Sequence, residues 1–172
     1  MRGWRRFLVA TVGALSLVGA GSVSVSAREG GSLIEFDSMT PVTGAAVAAV
    51  NDRLLKGGGL PWAISSGSGE VSRHGHVSVE VTGLVLAAGS NIGTNPIGTF
   101  AVTVSCLTPH GIVNVRTASF PATVPGGDST INTRVSLPHP CKKPEVFVGT
   151  VNATTGAFAW FAMSNADEEG DD

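Results

Sequence analysis

Residues 74–81 read His74-Gly75-His76-Val77-Ser78-Val79-Glu80-Val81, and their pattern decides the fold. Val77, Val79 and Val81 alternate with His76, Ser78 and Glu80. At a period of two this is a half-buried strand with one apolar face, and the pattern extends it through Gly83 to Leu84-Val85-Leu86. Such a strand needs a partner. The segment Gly69 to Arg73 supplies one, with His74-Gly75 as a tight turn in which Gly75 takes the positive φ a hairpin wants. The preceding run Ser65-Ser66-Gly67-Ser68-Gly69 reads as a loop.

Toward the C-terminus the same periodicity predicts strands over 99–107, 113–116, 119–124, 130–137, 145–151 and 157–163. Ile131, Thr133, Val135 and Leu137 share one face, with Asn132, Arg134 and Ser136 on the other. Residues 157–163 are apolar on both faces, which places that strand inside a sheet. Gly, Pro, Asn, Asp and Ser cluster between these segments, at 89–96, 109–111, 125–128 and 152–156, and each cluster is a turn by composition. Seven to eight short strands with almost no helical periodicity predict an all-β fold, an antiparallel β-sandwich of Greek-key type. Residues 44–55, rich in Ala, are the exception and read either as one short helix or as a covering loop. The sandwich domain is therefore set at 57–164, behind an N-terminal covering segment at 28–56.

The two ends of the chain are of a different kind. Arg2, Arg5 and Arg6 precede an apolar stretch from Phe7 to about Ala20, then small residues ending in Val25-Ser26-Ala27. That is the pattern of a secretory signal peptide over 1–27, cleaved after Ala27, and its apolar stretch falls short of the roughly 20 residues a membrane span needs. The mature protein is expected to be secreted, with no membrane span. At the other end, Asp167, Glu168, Glu169, Asp171 and Asp172 make a solvated acidic tail over 165–172. Only 14% of the 172 residues are charged while 42% are hydrophobic, so most of the chain folds. With both ends set aside, eight basic residues meet eight acidic ones. This balance gives no reason to expect nucleic acid as a partner.

Cys106 and Cys141 are the only cysteines. In an oxidising compartment an even pair is most simply a disulfide, and a crosslink closing the loop 106–141 is worth roughly 3 to 4 kcal/mol. The competing reading is a thiolate metal site with His110 and His139. Another metal reading, for copper or zinc, uses His74 and His76, because an i, i+2 pair on a strand points both rings to one side. It needs a third ligand such as His110, His139 or Glu80. Nucleophilic catalysis finds no Gly-x-Ser-x-Gly elbow, and Gly57-Gly58-Gly59 lacks the Lys-Ser of a phosphate loop. No cofactor is expected. Trp62 follows a Pro in a glycine-rich stretch and is a candidate platform for stacking on a sugar ring. A core position is the simpler use of both Trp62 and Trp160.

A set of short stretches recurs together: Gly57-Gly58-Gly59-Leu60-Pro61-Trp62, Gly83-Leu84-Val85-Leu86, Asn95-Pro96-Ile97, Val104-Ser105-Cys106-Leu107, Phe120-Pro121, Leu137-Pro138-His139-Pro140-Cys141 and Val146-Phe147-Val148. In this order they resemble a group of small exported bacterial proteins, common in high-GC soil bacteria, over roughly Phe36 to Ala162. The resemblance implies a signal peptide and an all-β domain with paired cysteines. It implies no activity and transfers no functional residue. The expectation is a secreted, non-enzymatic module that binds an extracellular ligand or cell-envelope component or has a structural role there. A metal-binding domain is the alternative, and a small secreted hydrolase the third reading.

Overall fold

A computed structural model describes residues 31–165, so the signal peptide, its cleavage point after Ala27 and most of the acidic tail lie outside the described residues. Strands make the whole framework. In chain order they are β1 (Ser32–Phe36), β2 (Met39–Pro41), β3 (Lys56–Gly57), β4 (Trp62–Ala63), β5 (Ser66–Ser72), β6 (His76–Thr82) and β7 (Val85–Leu86). After these come β8 (Thr99–Thr108), β9 (Gly111–Arg116), β10 (Phe120–Pro121), β11 (Ser129–Arg134), β12 (Lys142–Val151) and β13 (Phe158–Ser164). Eight have five residues or more; β1 is among them although the periodicity does not predict it, while the strand expected over 119–124 is the two-residue β10. Among the described residues no helix is long and apolar enough to cross a membrane.

Two sheets face each other. The smaller has the order β1-β5-β6-β11; the larger runs β10-β8-β12-β13-β2, with β9 also pairing with β8 and β3 with β13. Ladders are antiparallel except the two-residue β3–β13 pair. The chain crosses between sheets repeatedly, and the hairpins β5–β6, β8–β9 and β12–β13 supply the local pairings. Between the sheets lies the apolar core: Phe36, Val71, Val77, Val79, Val81 and Ile131 from the smaller sheet meet Phe100, Val102, Val104, Val146, Val148 and Phe161 from the larger. The valines of β6 thus face inward as their alternation requires.

Four local expectations are corrected. The Ser-Gly run is not a loop, because β5 begins at Ser66. Its glycines occupy inward positions, where a Cβ on Gly69 would lie 2.8 Å from the Phe36 ring and one on Gly67 2.7 Å from the Met39 side chain. Large residues on neighbouring strands fill the space that the glycines leave. The β6 strand does not continue to Leu86: it ends at Thr82, since Gly83 adopts φ +61 and Asp128 Oδ1 accepts its N–H. Val85–Leu86 then pairs with Trp62–Ala63 in a separate ladder. The segment 28–56 is more than a cover, for β1 and β2 are strands of the two sheets. Only 44–56 covers, so of the two readings of 44–55 the short helix gives way to the covering loop, which contains a single 3-10 turn, Gly44–Ala46.

The disulfide forms as expected. Cys106, in β8, bonds to Cys141, just before β12, with 4.8 Å between Cα atoms. Because β8 and β12 are hydrogen-bonded neighbours, the bond ties two adjacent strands of the larger sheet at one end.

Candidate functional site

The outer face of the smaller sheet is built from the residues that alternate with its core. Register places Glu35 opposite Glu70, Glu70 opposite Ser78, and Ser78 opposite Asn132. In the next rows Ser68 faces Glu80 and Glu80 faces Thr130, Ser66 faces Thr82, and His76 faces Arg134. The face therefore carries carboxylates, hydroxyls, one amide, the His76 imidazole and the Arg134 guanidinium, some already paired. Ser66 Oγ and Thr82 Oγ1 are 2.6 Å apart, and His76 Nε2 lies 3.0 Å from Asn132 Oδ1.

A groove of about 830 Å³ opens along β1. Ser32 to Asp37 form one side, with Ser68, Glu70 and Ser78 beyond them on the sheet and Pro144 of β12 across from them. Three carboxylates line it, from Glu35, Asp37 and Glu70, and among the described residues no basic one does. Glu35 and Asp37 are exposed, and Glu70 is half-buried. Paired carboxylates at one register position are the raw material of glycoside hydrolysis, yet this pair stands on an open sheet face rather than in an enclosed cleft. The arrangement suits reversible attraction of cations and of hydrogen-bonding groups.

The outer face of the larger sheet is closed. Thr103 lies opposite Arg116 on one side and Phe147 on the other; Ser105 lies opposite Asn114 and Glu145. These side chains therefore share one face, and the Phe147 ring meets the Trp160 ring edge-on at 5.7 Å. The strap formed by residues 44–56 crosses this surface from the β13 edge, where Gly57 joins Trp160. Arg53 fixes its far end. Its Nη2 donates to the Lys143 carbonyl at 2.9 Å and to Glu145 Oε1 at 2.6 Å, while Asn114 Nδ2 donates to the Arg53 carbonyl at 2.8 Å. Asn51 shapes the strap, its Oδ1 accepting the N–H groups of Arg53 and Leu55. Beneath it, Arg53 Nη1, Thr103 Oγ1, Ser105 Oγ and Trp160 Nε1 are buried without a hydrogen-bond partner among the described residues.

The residues singled out from sequence fall elsewhere. Trp62 is only 4% exposed, and Phe161 stacks on it at 3.9 Å between centroids, so its face is not available to a sugar ring. His74 sits in the β5–β6 turn and His76 on the strand after it, so the i, i+2 rule for a continuous strand does not govern them. Among the described residues no three His, Cys, Asp or Glu side chains are grouped to hold a metal ion, and the cysteines are spent in the disulfide. The groove along β1 was missed because β1 lies in the segment read as a cover and the first half of β5 in the run read as a loop. The signal was the alternation Ser66-Gly67-Ser68-Gly69-Glu70-Val71, polar outward and small or apolar inward. Compared with protein families, curated proteins and solved structures, the chain matches none.

Proposed function

We propose that the protein is a secreted, non-enzymatic β-sandwich that acts outside the cell or in the cell envelope as a binding module, and that the groove along β1 is its binding surface. The observation that carries this reading is the groove itself: about 830 Å³, open to solvent, and lined by three acidic residues together with Ser68 and Ser78. Its chemistry favours ligands with amines or many hydroxyls, such as amino sugars or basic segments of envelope components. The signal-like N-terminus supports the location, and the paired cysteines suit an oxidising compartment.

A thermal-shift screen of the mature protein against cell-wall glycans, basic peptides and divalent metals tests the proposal. A ligand at 100 times its dissociation constant adds about 2.7 kcal/mol, which raises Tm by several degrees in a domain of this size. The expected result is a shift with an amine-bearing ligand that shrinks in the Glu70→Gln variant. A ligand whose shift is unchanged in that variant and whose contacts map away from β1 overturns it.

A further inference from the structure

The smaller sheet ends at β1. In the order β1-β5-β6-β11, β1 has one hydrogen-bonded neighbour, so among the described residues no strand lies along its other backbone edge. Protein chains usually blunt such an edge with Lys, Pro, a bulge or a covering segment, because the free N–H and C=O groups are a template for another strand. β1 is Ser-Leu-Ile-Glu-Phe, without Lys or Pro. Its one irregularity lies between Ser32 and Ile34, which leaves Ile34, Glu35 and Phe36 in regular register with β5.

The groove follows this edge. Each residue from Ser32 to Asp37 lines it, as do Ser68, Gly69 and Glu70 of β5, Ser78 of β6 and Pro144 of β12; Pro144 has no N–H to offer a ladder. The space therefore adjoins a strand that, among the described residues, is paired with another strand on one side only. Carboxylates set the charge of a preferred occupant. A second copy of this chain added through its own β1 would bring like charges into one groove, which is unfavourable. A basic segment would not.

We propose that β1 accepts an extended basic peptide as an added outer strand of the smaller sheet. This rests on the groove being the binding surface and narrows its ligand to one class. Main-chain hydrogen bonds to β1 would supply affinity with little demand on sequence, and alternate Lys or Arg side chains of the peptide would meet Asp37 and Glu70.

The test uses the mature protein labelled with 15N and, as probe, a capped seven-residue peptide alternating Lys and Thr. The same peptide with alternate backbone nitrogens methylated is the control, since it keeps the charge and loses the ladder. Strand addition predicts that amides within 32–37 exchange with solvent at least about tenfold more slowly at saturation, and that methylation weakens binding by about tenfold. Glu70→Gln should weaken it about two- to fivefold at low salt. Equal binding of the methylated peptide would overturn strand addition while leaving the groove as an acidic binding surface. No perturbation of 32–37 by the unmethylated peptide at millimolar concentration would also overturn it. A different ligand mapped away from β1 would remove the groove reading as well.

Discussion

The two outer faces of this sandwich are built by the same alternation and finished in opposite ways. On the smaller sheet the outward residues are Ser, Thr, Glu, Asn, His and Arg, and the face stays open. The larger sheet turns Phe147 and Trp160 outward, and the strap at 44–56 covers them. An apolar outer face obliges the chain to supply a third layer, whereas a polar one leaves a surface free for other molecules. The closed face carries stability and the open face carries the candidate site, so substitutions on the two should differ in kind.

Phe147→Ala should have the largest effect. The ring is fully buried and packs against Trp160, so its loss should cost about 3 to 5 kcal/mol in urea unfolding. A cost below 1 kcal/mol would mean that the strap does not make this face a core. Arg53→Ala comes next, at about 2 to 3 kcal/mol, because it leaves Glu145 and the Lys143 carbonyl without their donor and frees one end of the strap. Glu145 remains 23% exposed, which keeps the value below that of a fully buried pair. Acrylamide should then quench Trp160 more readily, and unchanged quenching would mean that Arg53 does not hold the strap down.

On the open sheet the sensitive positions face inward. Gly69→Ala would put a Cβ 2.6 Å from the Ser78 carbonyl oxygen and 2.8 Å from the Phe36 ring, an overpacking worth about 1 to 3 kcal/mol. Its neighbour Ser68→Ala, exposed on the same strand, should stay within about 0.5 kcal/mol. Equal costs for the two would contradict the assigned register. The smallest effect has the opposite sign. Thr103→Val replaces a buried hydroxyl that has no partner among the described residues, so it should raise stability by up to about 1 kcal/mol. A fall in Tm would show that a bound water or other small group partners the hydroxyl under the strap.

Much of the framework was legible because period-two alternation is local. Val77, Val79 and Val81 on β6, and Ile131 and Thr133 on β11, face the way their spacing predicts, and Cys106 meets Cys141. Legibility failed where a residue's meaning depends on a distant neighbour. Gly67 and Gly69 suggest flexibility by composition, but they are strand residues because Met39 and Phe36 fill the space beside them. Trp62 read most simply as a core residue and is one, but its partner Phe161 lies 99 positions along the chain and could not be named from spacing. His74 and His76 lie two positions apart, yet the turn between them removes the shared side that this spacing promised. Arg53 gave no signal at all, since its role is set by Lys143, Glu145 and Asn114 on two other strands.

By itself, the sequence determined the all-β class, the main strands, the inward faces and the crosslink, for these follow from side-chain period, turn chemistry and cysteine count. The tertiary structure alone decided which outer face is roofed and which is open, that β1 is an edge, and that its carboxylates share a groove with those of β5. Sheet order and long-range register set those features. They arise from contacts between segments far apart in the chain, which no local pattern encodes.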